Sequence, residues 1–440
     1  MASPRIAALP SLSDFKPGSL RGQAGFVRVG QTRAGQWWLL DPHDQPFISK
    51  GVAAVSRTGW ADGRSLRPGR YLQAVNQLYG VEAPEPFVRS VIQRARKWNM
   101  NTVGAWTSPE FYDQGIYYTE LIEFRKVGPC FHSGAALLPD VFDPAWRDAA
   151  DAWARQICEP RKESRELIGY FTDHELGWAQ PHVDANTGIV PADTKVESPS
   201  LLQICLSLEP GFRAYHAAWE FVLAPRQGDL ARLGADWRIT LATREQIRQL
   251  TQSETPLKSE GYLHDQHRFA REFARRYFSI TASVVRAYDP HHLVLGCRFA
   301  ENPGASILAE CMQPHVDVVS LRPERDAWER AALLSAANMP TLLTEVSWAD
   351  PNFLRLPLRP EKRRLTTLER MLGRGRLGLE RIFAQRAIVG YEWARWVDGE
   401  DDEPPFGTGL VHLDDREARE HTELLTDLNG RAETIRLKSR

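Results

Sequence analysis

Cysteine is scarce. The chain has 440 residues and 5 cysteines, Cys130, Cys158, Cys205, Cys297 and Cys311. They form no Cys-x-x-Cys pair and sit in no Cys/His cluster, so neither a disulfide framework nor a structural zinc site is indicated, and a reducing compartment fits them. An excess of one charge is also missing. Lys and Arg number 55 against 56 Asp and Glu, a formal net charge of -1. That balance argues against a protein built to coat nucleic acid or an acidic membrane. No apolar run reaches the roughly 18 residues that a transmembrane helix needs. The opening stretch MASPRIAALPSLSDF has no apolar core of the kind a secretory leader carries. There is no internal repeat, and no GxGxxG follows an early strand. These absences lead us to expect a cytoplasmic protein with no metal or cofactor, and they leave self-association open.

What remains is an ordinary globular composition, 42% hydrophobic and 25% charged, long enough for one large domain or two ordinary ones. Tryptophan stands out at 14 residues. A sugar-binding cleft would explain it, because indole faces stack on pyranose rings; so would a Trp-rich core.

Along the chain, short apolar runs alternate with amphipathic ones. Gln36 to Leu40, a turn at Asp41-Pro42-His43-Asp44, and Pro46 to Val52 read as a hairpin leading into a first strand. Phe87, Val88, Val91, Ile92, Ala95 and Trp98 fall at helical spacing, and Met100 to Trp106 follow as a buried strand. Further strands are expected near 122, 168, 293, 316, 341 and 387, separated by helices such as that through Phe269, Phe273, Tyr277 and Val284 and a short one at 331–337. Eight apolar strands alternating with helices predict an α/β fold, a (β/α)8 TIM barrel. Residues 1–45 would form an N-terminal extension with a β-hairpin, 46–415 the barrel, and 416–440 a helical tail. The stretch 179–262, rich in proline and poor in strand pattern, reads as a large insertion after strand four that walls or lids a cleft.

Catalytic groups of such barrels project from the C-terminal ends of strands. Two carboxylates occupy that position in similar settings. Glu175 ends Tyr170-Phe171-Thr172-Asp173-His174-Glu175 and is followed by Trp178; Glu345 ends Leu342-Leu343-Thr344-Glu345 and is followed by Trp348. An ionised group there is costly to desolvate without a partner or a task. Two of them facing one bond supply what glycoside hydrolysis needs: an acid for the leaving oxygen and a carboxylate to attack or to activate water. A structural ion pair with a nearby arginine would account for either one alone better than for both in this order.

The segments Trp37-Trp38-Leu39-Leu40-Asp41-Pro42, Pro46 to Val52, Met100 to Gly104, Tyr170 to Trp178 and Thr344-Glu345-Val346-Ser347 carry a resemblance through roughly residues 25–415. In order and spacing the chain resembles the agarase-like retaining glycoside hydrolases, members of the (β/α)8 clan with one glutamate on strand four and one on strand seven. The resemblance implies that Glu175 is the general acid/base, that Glu345 is the nucleophile and that Trp393 floors the sugar subsite. Trp106, Trp178 and Trp348 join Trp393 as candidates for stacking on sugar rings.

Two positions depart from the clan. His174 stands where it usually has an asparagine that hydrogen-bonds the sugar 2-OH, and imidazole differs in reach and charge state. Arg322, in Ser320-Leu321-Arg322-Pro323-Glu324, stands where Asn or Tyr is more usual. Arg322 and Glu324 could read a substrate hydroxyl or carboxylate, or form a surface ion pair. Arg298 is a candidate to hold Glu345 ionised. His132 would lie near the mouth. His264 and His267, and the acidic loop Asp398 to Glu403, fit solvated positions better than metal sites. The sequence and this resemblance together imply a retaining, exo-acting β-glycosidase, for galactose-containing oligosaccharides by the resemblance to agarases. A relative of altered sugar specificity, or a silent carbohydrate-binding barrel, is the alternative.

Overall fold

The structure is a computed structural model that describes residues 8–59, 69–81, 84–133, 136–177, 198–299, 304, 306–323, 339–349, 366–402 and 405–439. The predicted helix at 331–337, Glu324, Trp178 and part of the insertion lie outside the described residues.

The chain begins with an antiparallel sheet of three short strands, β1 (Arg28–Gln31), β2 (Trp37–Leu40) and β3 (Pro46–Phe47). The single strand expected through Pro46 to Val52 is therefore divided at Ile48. Its first part pairs back onto β2, with Leu39 opposite Phe47, and its second part, β4 (Ser49–Val52), enters the barrel. The other barrel strands are β5 (Thr102–Val103), β6 (Tyr117–Leu121), β9 (Leu167–His174), β10 (Leu293–Phe299), β11 (Val319–Leu321), β12 (Thr341–Val346) and β13 (Ile388–Trp393). A two-stranded excursion, β7 (Cys130–Ser133) and β8 (Ala136–Pro139), interrupts the series after the third. All neighbouring pairs in the barrel are parallel, and β13 closes onto β4. The fold is an eight-stranded parallel barrel surrounded by helices, as the alternation of apolar strands and amphipathic segments predicts.

Two apolar layers hold it together. The inner one joins Val27, Val29, Trp37 and Leu39 of the N-terminal segment to Ile168, Phe171, Leu295, Leu342 and Val389 of the barrel strands. The N-terminal sheet thus stoppers the barrel at the end where its strands begin. The outer one lies between strands and helices. The tryptophans belong mainly to it: eight of the 14, including Trp38, Trp98, Trp146, Trp219 and Trp237, are fully buried. The tryptophan count therefore reports core more than cleft.

Within the insertion, the helices Leu201–Ser207, Arg213–Leu223 and Leu230–Trp237 pack with the 29-residue helix Glu260–Tyr288, Glu245–Gln252 packs on Leu201–Ser207, and all share the outer core. The tail helices Arg419–Asn429 and Ala432–Lys438 pack on helix Thr367–Ala384. Arg436, wholly buried, donates to the carbonyls of Phe383, Trp37 and Ile388. It ties the tail to both the stopper and the barrel.

Candidate active site

Glu175 follows β9, whose residues are buried until His174. Its backbone turns into the left-handed region, φ 48°, and its N–H donates to the Arg298 carbonyl of the next strand at 2.9 Å. Just before it, Asp173 is wholly buried and accepts from the Tyr277 hydroxyl at 2.6 Å and the Arg125 N–H at 3.0 Å. The Arg125 guanidinium donates to the His174 carbonyl at 2.5 Å. Three elements thus fix the peptide that carries Glu175.

Glu345 is aimed by a different device. The pairing of β12 with β13 slips register between Leu343 and Val346, and Glu345 has φ 56°. A bulge re-aims a side chain in this way. Ala54 after β4, φ 56°, and Trp106 after β5, φ 61°, are left-handed as well. Such conformations in non-glycine residues cost on the order of 1–3 kcal/mol each and persist where the surroundings over-determine them. With Glu123 after β6, φ 61°, five of them stand at the C-terminal ends of barrel strands.

These elements bring Glu175, Glu345, His174 and Arg322 together. His174 Nε2 lies 3.5 Å from Glu345 Oε1 and 3.7 Å from Glu175 Oε1. Arg322 Nη1 lies 3.5 Å from Glu345 Oε2 and 3.6 Å from Glu175 Oε1. One polar atom from each of His174, Glu175 and Glu345 falls within 4.8 Å of the other two. Arg298 is buried and 3.9 Å from Glu345, but its nearer carboxylate is Glu392, at 3.3 Å. Glu392 is also buried inside the barrel and accepts from the Thr119 hydroxyl at 2.6 Å. Gly104 makes room for it, since a Cβ there would stand 2.6 Å from the Glu392 carboxyl carbon.

Burial, and then the charge of Glu345, raise the pKa of Glu175; Arg322, Arg125 and Arg298 oppose the rise. Burial lowers the pKa of His174 to about 2, with Arg298, Arg125 and Arg322 acting in the same direction. His174 is thus a neutral imidazole, and its buried Nδ1 has no hydrogen-bond partner among the described residues. His174, Glu175 and Glu345 could in principle offer three ligand atoms to a cation. The guanidinium charges of Arg298 and Arg322 beside the same atoms oppose that.

The aromatic candidates separate. Trp106 is partly exposed; its ring meets that of His174 edge-on with centroids 4.7 Å apart, and the Arg298 guanidinium lies 4.2 Å from its ring centre. Trp348 and Trp393 are fully buried and meet edge to face at 4.5 Å. Their indole N–H groups donate to His421 Nδ1 at 2.9 Å and the Thr408 carbonyl at 2.8 Å. Neither presents a face to the cleft, because the strand alternation that turns Glu392 into the barrel turns Trp393 out of it. Trp178 lies outside the described residues. His132 sits exposed in β7, and His267, on helix Glu260–Tyr288, lies 3.4 Å from Ser306, which precedes the helical turn Ile307–Met312. In the acidic loop, Asp398 and Asp402 accept backbone N–H groups from Gly409 and from Gly399 and Thr408, which is turn chemistry. Sequence reasoning passed over Arg125 and the inward role of Glu392. An ionisable residue in an apolar strand was the available signal for Glu392.

No protein-family model matches the chain. In sequence it is similar to beta-agarase A of Vibrio sp. (strain JT0107), 24% identical over 381 residues that cover 71% of this chain and 36% of that protein. It is also similar to beta-agarase B of the same strain, 23% identical over 300 residues, or 64% of this chain and 29% of that protein. The chain spans about a third of the length of the curated relatives it matches. In fold it is similar to a solved exo-beta-agarase, with a TM-score of 0.70 at 16% identity, covering 96% of this chain and 67% of that one. A second solved agarase gives a TM-score of 0.71 at 19% identity, covering 98% of this chain and 68% of that one. Both comparisons meet the resemblance carried by the sequence motifs: this chain is agarase-like in sequence and in its barrel fold.

Proposed function

We propose that the chain is a retaining β-glycosidase that acts from the end of galactose-containing oligosaccharides. The observation that carries this reading is the close pair formed by Glu175 and Glu345 at the ends of the fourth and seventh barrel strands, each with an oxygen within 4.8 Å of the other. Retaining pairs have carboxyl groups about 5–5.5 Å apart, whereas inverting pairs stand roughly 6.5–9.5 Å apart to admit a water. The similarity to beta-agarases and to an exo-beta-agarase supports the galactan substrate and the exo action.

The chemistry follows from the charge states. Glu345, beside Arg322 and Arg298, attacks the anomeric carbon as the glycosidic C–O bond breaks. Glu175, its pKa raised, gives its proton to the departing oxygen. A water then loses a proton to Glu175 and attacks the glycosyl–Glu345 ester, which releases the sugar with its original anomeric configuration and restores both carboxyls. Neutral His174 can donate from Nε2 to a sugar hydroxyl without repelling the positive charge that grows at the anomeric carbon. Trp106 would support the ring beside it. Five free thiols suit action on imported oligosaccharides in the cytoplasm.

The test is to follow the first-formed anomer of an aryl β-galactoside or agaro-oligosaccharide by NMR, and to label the protein with a 2-deoxy-2-fluoro β-galactosyl fluoride. Initial release of the β-anomer and a label on Glu345 are expected. Initial α-anomer, or a label elsewhere, would remove Glu345 as nucleophile.

A further inference from the structure

Arg322 stands where the sugar must pass. It follows β11, and one nitrogen of its guanidinium is 3.5 Å from Glu345 and 3.6 Å from Glu175. Arg322 is set against the two carboxylates that carry the chemistry, and about a third of its side chain is exposed, 32%. A guanidinium in this place works against hydrolysis in two ways. It favours the ionised form of Glu175, which must be protonated to act as acid. It also repels the positive charge that develops at the anomeric carbon. An anion on the substrate relieves both effects at once by drawing the guanidinium onto itself. The planar fork of arginine matches a carboxylate or a sulfate group through two parallel hydrogen bonds.

We propose that the subsite beside Glu175 and Glu345 takes a sugar bearing an anionic substituent, a carboxylate or a sulfate ester, held by Arg322. A neutral sugar leaves Arg322 on the catalytic carboxylates. An anionic one moves it off them, so that recognition of the substrate and protonation of the acid become one event. This inference rests on the hydrolytic reading of the same site and specifies the substrate class.

The experiment compares kcat/KM for an aryl β-galactoside, the matching β-galacturonide and the matching 6-sulfo-β-galactoside, using the full chain and its Arg322→Met and Arg322→Lys variants. At least one anionic substrate should exceed the neutral one by about tenfold or more, and the better of the two tells carboxylate from sulfate. Arg322→Met should reduce that preference by about 10- to 100-fold, the worth of a charge-assisted pair. Arg322→Lys should restore part of it, since it keeps the charge but not the fork. On the neutral substrate, Arg322→Met should move the basic limb of the pH profile upward, because the charge holding down Glu175 is gone while Glu345, Arg125 and Arg298 remain. A wild-type preference for the neutral substrate overturns the proposal, and so does a variant that changes all three substrates equally. If none of the three is hydrolysed, the hydrolytic reading is what fails. Calorimetric binding of galacturonate, galactose 6-sulfate and galactose then decides the subsite, and no advantage of either anion over galactose overturns it.

Discussion

At the N-terminal end of the barrel, Val27, Val29, Trp37 and Leu39 fill the opening with apolar side chains, and Arg436 meets three carbonyls there. At the C-terminal end, Ala54, Trp106, Glu175 and Glu345 take left-handed backbone, His174 buries a nitrogen without a partner, and two guanidiniums stand among two carboxylates. One end is closed mainly by apolar contacts. The other gathers charges, an unpartnered imidazole nitrogen and left-handed backbone around a single cleft. Strain and frustration of this kind are retained where a reaction needs groups held ready, at a cost offset by packing elsewhere. Mutations at the two ends should therefore separate activity from stability.

The largest effect is expected at the mouth. Glu345→Gln should lower kcat on the order of 10⁴-fold, as loss of a nucleophile does, while the midpoint of thermal unfolding stays at or above the wild-type value. A variant that loses stability along with activity would break the comparison. The stopper should show the reverse. Trp37→Ala should reduce folding stability by about 3–5 kcal/mol in urea titration, with kcat/KM of the folded fraction unchanged. His174→Ala should lower kcat roughly 10²-fold, since donors aimed at developing charge contribute about 3 kcal/mol; nearly full activity would make His174 a packing residue. Glu175→Gly tests the strain directly. It should abolish acid catalysis yet raise stability by about 0.5–1 kcal/mol, because glycine adopts left-handed backbone without penalty. A less stable variant would show that the backbone there is at ease.

The smallest effect concerns Asp173, whose pKa burial raises from 3.8 to about 7. The folded state then binds more protons than the unfolded state between these values, so stability present at low pH is lost as pH rises toward about 7. Asp173→Asn should flatten that slope in urea titrations between about pH 4 and pH 8. An unchanged slope would assign it to another group.

Much of the architecture was legible in the sequence because a parallel barrel writes itself in long apolar strands. Leu167 to Asp173, Leu293 to Phe299 and Ile388 to Trp393 need cover on both faces, and their residues say so. Glu175 and Glu345 could be found because each breaks such a run at its end. What stayed hidden depends on register. Strand alternation gives no warning of the slip between Leu343 and Val346 that aims Glu345, nor of the division at Ile48 that splits one apolar run between two sheets. Arg298 reads from sequence as a partner for Glu345, and only three-dimensional closure shows Glu392 nearer to it across the barrel. Trp348 follows the strand of Glu345 and Trp393 ends the last barrel strand, which suggests a sugar platform, yet their packing against His421 places them behind the strands.

Helix Thr367–Ala384 carries Gly375 against the Trp348 indole, where a Cβ would come within 2.6 Å of the ring. Its neighbour Arg374 donates to the Trp348 carbonyl at 2.6 Å. Trp348 is three residues beyond Glu345 and has no room to retreat, since Trp393 and His421 close its other sides. The outer helix is therefore a lever with its short arm on the segment that carries Glu345. One methyl group at position 375, on the far side of the strand from any sugar, would be transmitted as a displacement of Glu345, so the accuracy of the cleft is set in part by a residue that no substrate can reach.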